Sequence, residues 1–176
     1  IVTVAVGPAW AKENGKGGNS IVDSVNSPYF VPRTEAPVKV DGALNDKAWE
    51  NALMIELKYE VEPGENVPAS VRTICLLTYN KSHFYAAFRA FDPSPGDIRA
   101  YLNDRDSALT DDWVGIVLDT FNDERRAFDI RSNPHGVQID GIQVENETDF
   151  SWDAIWDSAG KIYDWGYAVE MAIPFN

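Results

Sequence analysis

"DWVGIVLDTFNDERRAFDIRSN", residues 112–133, alternates apolar and polar side chains on both sides of the turn-forming "NDER". In the first run Val114, Ile116 and Leu118 share one face, and Trp113, Gly115, Val117 and Asp119 share the other. In the second, Phe128 and Ile130 mark an inner face and leave Asp129, Arg131 and Asn133 pointing away from it. If the runs form a hairpin, both outer sets must lie on one side of the sheet. A turn at Asn122, Asp123 and Glu124 meets that condition, pairing Trp113 with Asn133, Gly115 with Arg131 and Val117 with Asp129. Opposed side chains start about 5 Å apart at Cβ, so the glycine leaves room for the arginine beside it.

The same alternation recurs in "VKVDG", "MIELKYEV", "ASVRTICLLTY", "HFYAAFRAF", "GVQIDGIQV", "SWDAIW" and "GYAVEMAIPF", with turn formers such as Tyr79-Asn80-Lys81-Ser82 and Asn133-Pro134-His135-Gly136 between them. Short strands at this spacing predict an all-β chain, an antiparallel β-sandwich of the immunoglobulin or jelly-roll kind. One short helix is expected in "NDKAWENAL", capped by Asn45 or Asp46, with Trp49, Ala52 and Leu53 facing inward. The sandwich should occupy 36–176, preceded by a Gly-, Asn-, Ser- and Pro-rich linker over 12–35. Residues 1–11 read as the remnant of a signal peptide, an apolar run ending in the small-x-small Ala9-Trp10-Ala11. A buried first strand is the alternative there, one that Gly7-Pro8 would interrupt. The signal-like opening places the chain outside the cell or in its envelope.

The chain has 176 residues, 44% of them hydrophobic, enough to bury a core. Its net charge of -13 repels nucleic-acid phosphates and anionic membrane surfaces, so no nucleic-acid partner is expected. The single cysteine, Cys75, excludes an internal disulfide and a thiolate metal cluster, and reads as a core residue.

Trp113, Arg131 and Asn133 on one outer face supply an aromatic ring, a guanidinium and an amide. That combination suits a neutral polyhydroxylated ring, whose C–H face stacks and whose hydroxyls are hydrogen-bonded. A competing arrangement has Arg131 paired with Asp129 or another acid and Trp113 under a loop. The sugar-binding arrangement predicts that Arg131→Ala and Trp113→Ala weaken sugar binding with little change in melting temperature. Trp152 and Trp156 in "SWDAIWDSAG" (151–160) share a strand face with Ala154, opposite Asp153, Ile155 and Asp157. Turning the rings outward would bury the aspartates at a cost of several kcal/mol, so core is favoured. If the strand instead lines a concave cleft, both rings join the carbohydrate-binding set.

At "VKVDGALNDKAWENA" the chain resembles the start of carbohydrate-binding modules of family 9. The resemblance runs on through "HFYAAFRAFD", "DDWVGIVLDTFND" and "FDIRSNPHGVQIDG" to "GYAVEMAIPF". It is similar in particular to the N-terminal module of large exported bacterial proteins that continue into a region resembling an outer-membrane barrel. The resemblance implies a sugar-binding β-sandwich, often attached to a glycoside hydrolase and often holding structural calcium. It also implies a downstream domain in the same polypeptide. By motif, the family's sugar-contacting arginine and asparagine fall on Arg131 and Asn133. Its acidic residue falls on Gly115 and its stacking tryptophan on Leu109, two departures for which Trp113 is the available substitute.

Calcium prefers hard oxygen ligands around a turn, which points to Asp119 and Asp123 in "LDTFND", with Asp111-Asp112 and Asp140 as alternatives. No catalysis is expected within this domain, since His83 and His135 have no serine or cysteine motif beside them and no glycine loop cradles phosphate. Two rival functions stay open: a structural or docking domain of an outer-membrane protein, and a haem-binding sandwich using Met54, Met171, His83 or His135.

Overall fold

The computed structural model describes residues 2–6, 29–60, 67–120, 122, 125–144 and 147–175. The Ala9-Trp10-Ala11 pattern, linker residues 12–28, Asp123 and Glu124 lie outside the described residues. The strands are Val2–Val6 (β1), Leu53–Glu60 (β2), Val67–Tyr79 (β3), His83–Phe91 (β4) and Val114–Leu118 (β5). They continue with Arg126–Ser132 (β6), Gln138–Val144 (β7), Glu147–Asp149 (β8), Asp157–Tyr163 (β9) and Gly166–Pro174 (β10). Two five-stranded antiparallel sheets result, β1-β5-β6-β7-β8 and β2-β3-β4-β10-β9. The expected β-sandwich is the fold found. Among the described residues, no helix is long and apolar enough to cross a membrane.

Period-two patterning explains the packing. Val114, Ile116 and Ile130 from the first sheet meet Cys75, Leu77, Phe88, Val169 and Met171 from the second in the central core. Burial raises the Cys75 thiol far above its ordinary range, as expected of an inert core residue. β5 and β6 pair in the expected register: Gly115 opposes Arg131, and Val117 opposes Asp129. Asn122 holds a left-handed φ of 53° in the connection, a conformation asparagine tolerates better than most residues.

Two stretches expected as strands are not. "VKVDG" crosses the outer face of the second sheet, where Val38, Val40, Leu44 and Trp49 build a second core on Leu76, Ala87 and Ala172. Buried Glu170 on β10 pins this crossing. Its carboxylate accepts the N–H groups of Asp41 and Gly42 at 2.8 and 2.7 Å and the Trp49 indole N–H at 2.9 Å. The expected helix is a single short 3-10 segment, Lys47–Asn51, and Asp46 accepts the Lys39 N–H instead of capping it. "SWDAIW" is also not a strand, because side chains rather than a ladder hold its backbone. Asp140 accepts the Ala154 N–H, Arg105 donates to the Ala154 carbonyl, and Gln138 donates to the Trp156 carbonyl, each at 2.6 Å.

The N-terminal stretches also take definite positions. Val2–Val6 pairs antiparallel with β5 as the edge of the first sheet. Residues before Ala36 already attach to β3, through Thr34 N–H to the Tyr79 carbonyl at 2.8 Å and Thr78 Oγ1 to the Pro32 carbonyl at 2.9 Å.

Candidate functional site

Because β5 and β6 share their outer face, Trp113 and Arg131 emerge on the same side of the sheet. The guanidinium carbon stands 4.1 Å from the Trp113 ring centroid and 5.6 Å from that of Phe150, stacking distance for a cation on an aromatic face. Arg131 Nε and Nη2 donate to the two carboxylate oxygens of Asp129 at 2.7 and 2.5 Å. The Asp129 side chain is only 3% exposed and that of Arg131 21%. A buried carboxylate therefore braces a guanidinium whose edge reaches solvent, and neither bond uses Nη1. The ion pair and the aromatic stack, set against each other by the sequence, coexist in one arrangement.

Gly115 is what makes that arrangement possible. A Cβ at this position would stand 2.7 Å from the Ile130 carbonyl and 2.8 Å from Arg131 Cγ. The arginine stem lies across the glycine, so an acidic side chain does not fit there without moving the strand.

Asn133 does not belong to an exposed set. It is fully buried, and its amide is committed internally. Nδ2 donates to the Tyr101 carbonyl at 2.8 Å and to Asp111 Oδ2 at 2.9 Å, while Oδ1 accepts the N–H groups of His135 and Val137, both at 2.9 Å. Four partners exhaust an asparagine side chain. The expected sugar contact is corrected to a positioning role. Together with Asp111, which also accepts the Tyr101 N–H at 3.0 Å, Asn133 fixes the chain before β5 and leaves the Tyr101 side chain exposed.

The other tryptophans divide. Trp156 is buried in the central core, as favoured, and is no platform. Trp152 is half-buried and stacks on Phe128 at 5.0 Å between centroids, on the inner rim of the sandwich rather than beside Arg131. The alternation expected of this stretch holds although no ladder forms: Trp152, Ala154 and Trp156 are covered, while Asp153, Ile155 and Asp157 are exposed, Ile155 to 92%. Phe150 went unnoticed in the sequence, since no alternating run surrounds it.

The metal candidates separate similarly. Asp119 follows β5 and is half-buried. Asp111 and Asp112, the proposed alternatives, accept backbone N–H groups of the preceding loop, Tyr101 and Arg99 respectively, and burial raises the Asp112 carboxyl above its ordinary range. A carboxylate group does form from Asp106, Asp140 and Asp153, but Arg105 is ion-paired to all three.

No protein-family model and no curated protein matches the chain. A solved family 9 carbohydrate-binding module from Caldicellulosiruptor kristjanssonii, in complex with cellotriose, superposes with a TM-score of 0.55 at 20% identity, over 82% of this chain and 66% of that one. The fold is that of a family 9 carbohydrate-binding module. The chain spans less than two thirds of that module's length. Within this fold Leu109 is 41% exposed and Gly115 is sealed by Arg131, so the aromatic surface beside the arginine comes from Trp113 and Phe150.

Proposed function

We propose that this chain is a non-catalytic carbohydrate-binding module, with a neutral sugar lying against Trp113 and Phe150 and hydroxyls taken by the braced guanidinium of Arg131. The observation that carries the proposal is the Trp113–Arg131 stack at 4.1 Å, held over Gly115 by buried Asp129. A guanidinium fixed against Trp113 and Phe150, with Nη1 uncommitted to Asp129, offers a pyranose a donor edge flanked by apolar ring surface, and a net charge of -13 favours neutral over anionic saccharides. The fold shared with a module solved with cellotriose supports the same ligand class. Titration calorimetry with cellotriose and a neutral glycan array test it. Binding that falls about tenfold or more in Trp113→Ala is expected, and an empty array would refute it.

The proposal extends to the parent protein. Export rests on the signal-like Ala9-Trp10-Ala11 pattern, whose cleavage would remove Val2–Val6 from the edge of the first sheet, and the family resemblance supports a downstream domain that this module targets to its substrate. Fractionation of cells expressing the full-length gene tests the first, and its reading frame the second. A docking role without sugar binding is favoured by one observation, the complete internal commitment of Asn133. The glycan array decides between the two.

A further inference from the structure

We infer a second saccharide site on the opposite sheet, in the cleft over β10 between β4 and β9 on its outer face. The register builds the cleft: Tyr85 on β4, Ala172 on β10 and Asp157 on β9 stand in one row across three strands. A small residue between two larger polar ones leaves a trough. Adjacent strands lie about 4.8 Å apart, so β4 and β9 are separated by roughly 10 Å, a gap on the order of one sugar ring. The cleft is open to solvent, has a volume of about 410 Å³ and is walled on its apolar side by Val38 and Val40 of the crossing segment, a size within the ~300–1,000 Å³ typical of small-ligand sites.

Its polar groups are set for hydroxyls. The Tyr85 hydroxyl accepts the Asn80 side-chain N–H at 3.0 Å, which leaves its own proton to donate. The His83 ring stacks on Tyr85 at 5.7 Å between centroids, and Ser82 Oγ lies 2.8 Å from its Nδ1, leaving Nε2 for another partner. Asp157 is exposed and supplies an acceptor. Among the described residues no lysine or arginine lines the cleft, which disfavours phosphate or sulfate beside a carboxylate. His83 and Asp157 alone fall short of the coordination number a bound metal requires. A donor, an acceptor, an amphoteric ring nitrogen and an aliphatic wall match a neutral polyhydroxylated ring.

Amide chemical-shift mapping of the folded chain with D-glucose and with cellotriose tests the inference. Saturable shifts are expected at Val38, Val40, His83 and Ser158. Asp157→Ala and His83→Ala should each weaken the affinity read from those peaks by about tenfold while leaving any shifts around Trp113 unchanged. Arg131→Ala should do the reverse, so failure of this site and failure of the Trp113 site are read separately. Absence of shifts in the cleft, or shifts that persist unaltered in both cleft variants, would overturn the inference. So would movement of the same peaks by sodium phosphate or calcium chloride but not by either sugar.

Discussion

Replacing Arg131 with alanine should do more than the sequence suggests. Asp129 is almost wholly buried and has both oxygens on the Arg131 guanidinium, so truncating the arginine strands a carboxylate in a poorly solvated place. Breaking a fully buried pair costs about 3–5 kcal/mol. Here about a fifth of the arginine already meets solvent, which brings the expected loss to about 2–3 kcal/mol. For a domain of this size that lowers the melting temperature by roughly 5–10 °C. The expectation of little thermal change is thus corrected by the burial of Asp129. Arg131→Ala alone then confounds stability with binding, and the informative variant is Asp129→Asn/Arg131→Ala, which removes the stranded charge together with the guanidinium. Its melting temperature should recover toward that of the parent, while its affinity for cellotriose, measured by calorimetry at 25 °C where every variant is folded by circular dichroism, stays at least about tenfold weaker. A double variant that binds as tightly as the parent would refute the role of Arg131, whatever the single variant does.

Gly115→Ala should displace Arg131 from Trp113, since the added methyl meets the Ile130 carbonyl and the arginine stem; a loss of about 1–3 kcal/mol by chemical denaturation together with weakened sugar binding is expected, and full retention of both would contradict the packing described. Burial is the dominant influence on Glu170 and raises its carboxyl above the ordinary 4.5 despite the bonds from Asp41, Gly42 and Trp49, so the folded state holds that proton more tightly than the unfolded chain. The associated stability is complete below the ordinary value and is lost as pH rises through the folded-state value. Glu170→Gln should flatten this slope in denaturation measured across acidic to neutral pH, and an unchanged slope would assign it elsewhere. Arg105 already supplies positive charge to Asp106, Asp140 and Asp153, so millimolar calcium is expected to leave the melting temperature where it was; a rise with calcium but not magnesium would instead place an ion on this protein.

What the sequence determined by itself is whatever depends on period and parity. Side chains in a strand alternate strictly, so the β5–β6 register, the inward set Val114, Ile116 and Ile130, and the common side of Trp113 and Arg131 could all be read from residue order. What only the tertiary structure decided is how far each outward position lies from water. The loop before β5 covers Asn133, the buried Asp129 carboxylate turns a surface charge into a brace, and β8 with its following turn brings Phe150 to the arginine. The same limit explains "VKVDG" and "SWDAIW". Glu170 holds the turn of the first, and Arg105, Gln138 and Asp140 hold the second, residues distant in sequence whose hydrogen bonds replace a strand ladder. Alternation is a local property of the backbone, whereas burial is the sum of everything that folds back over it.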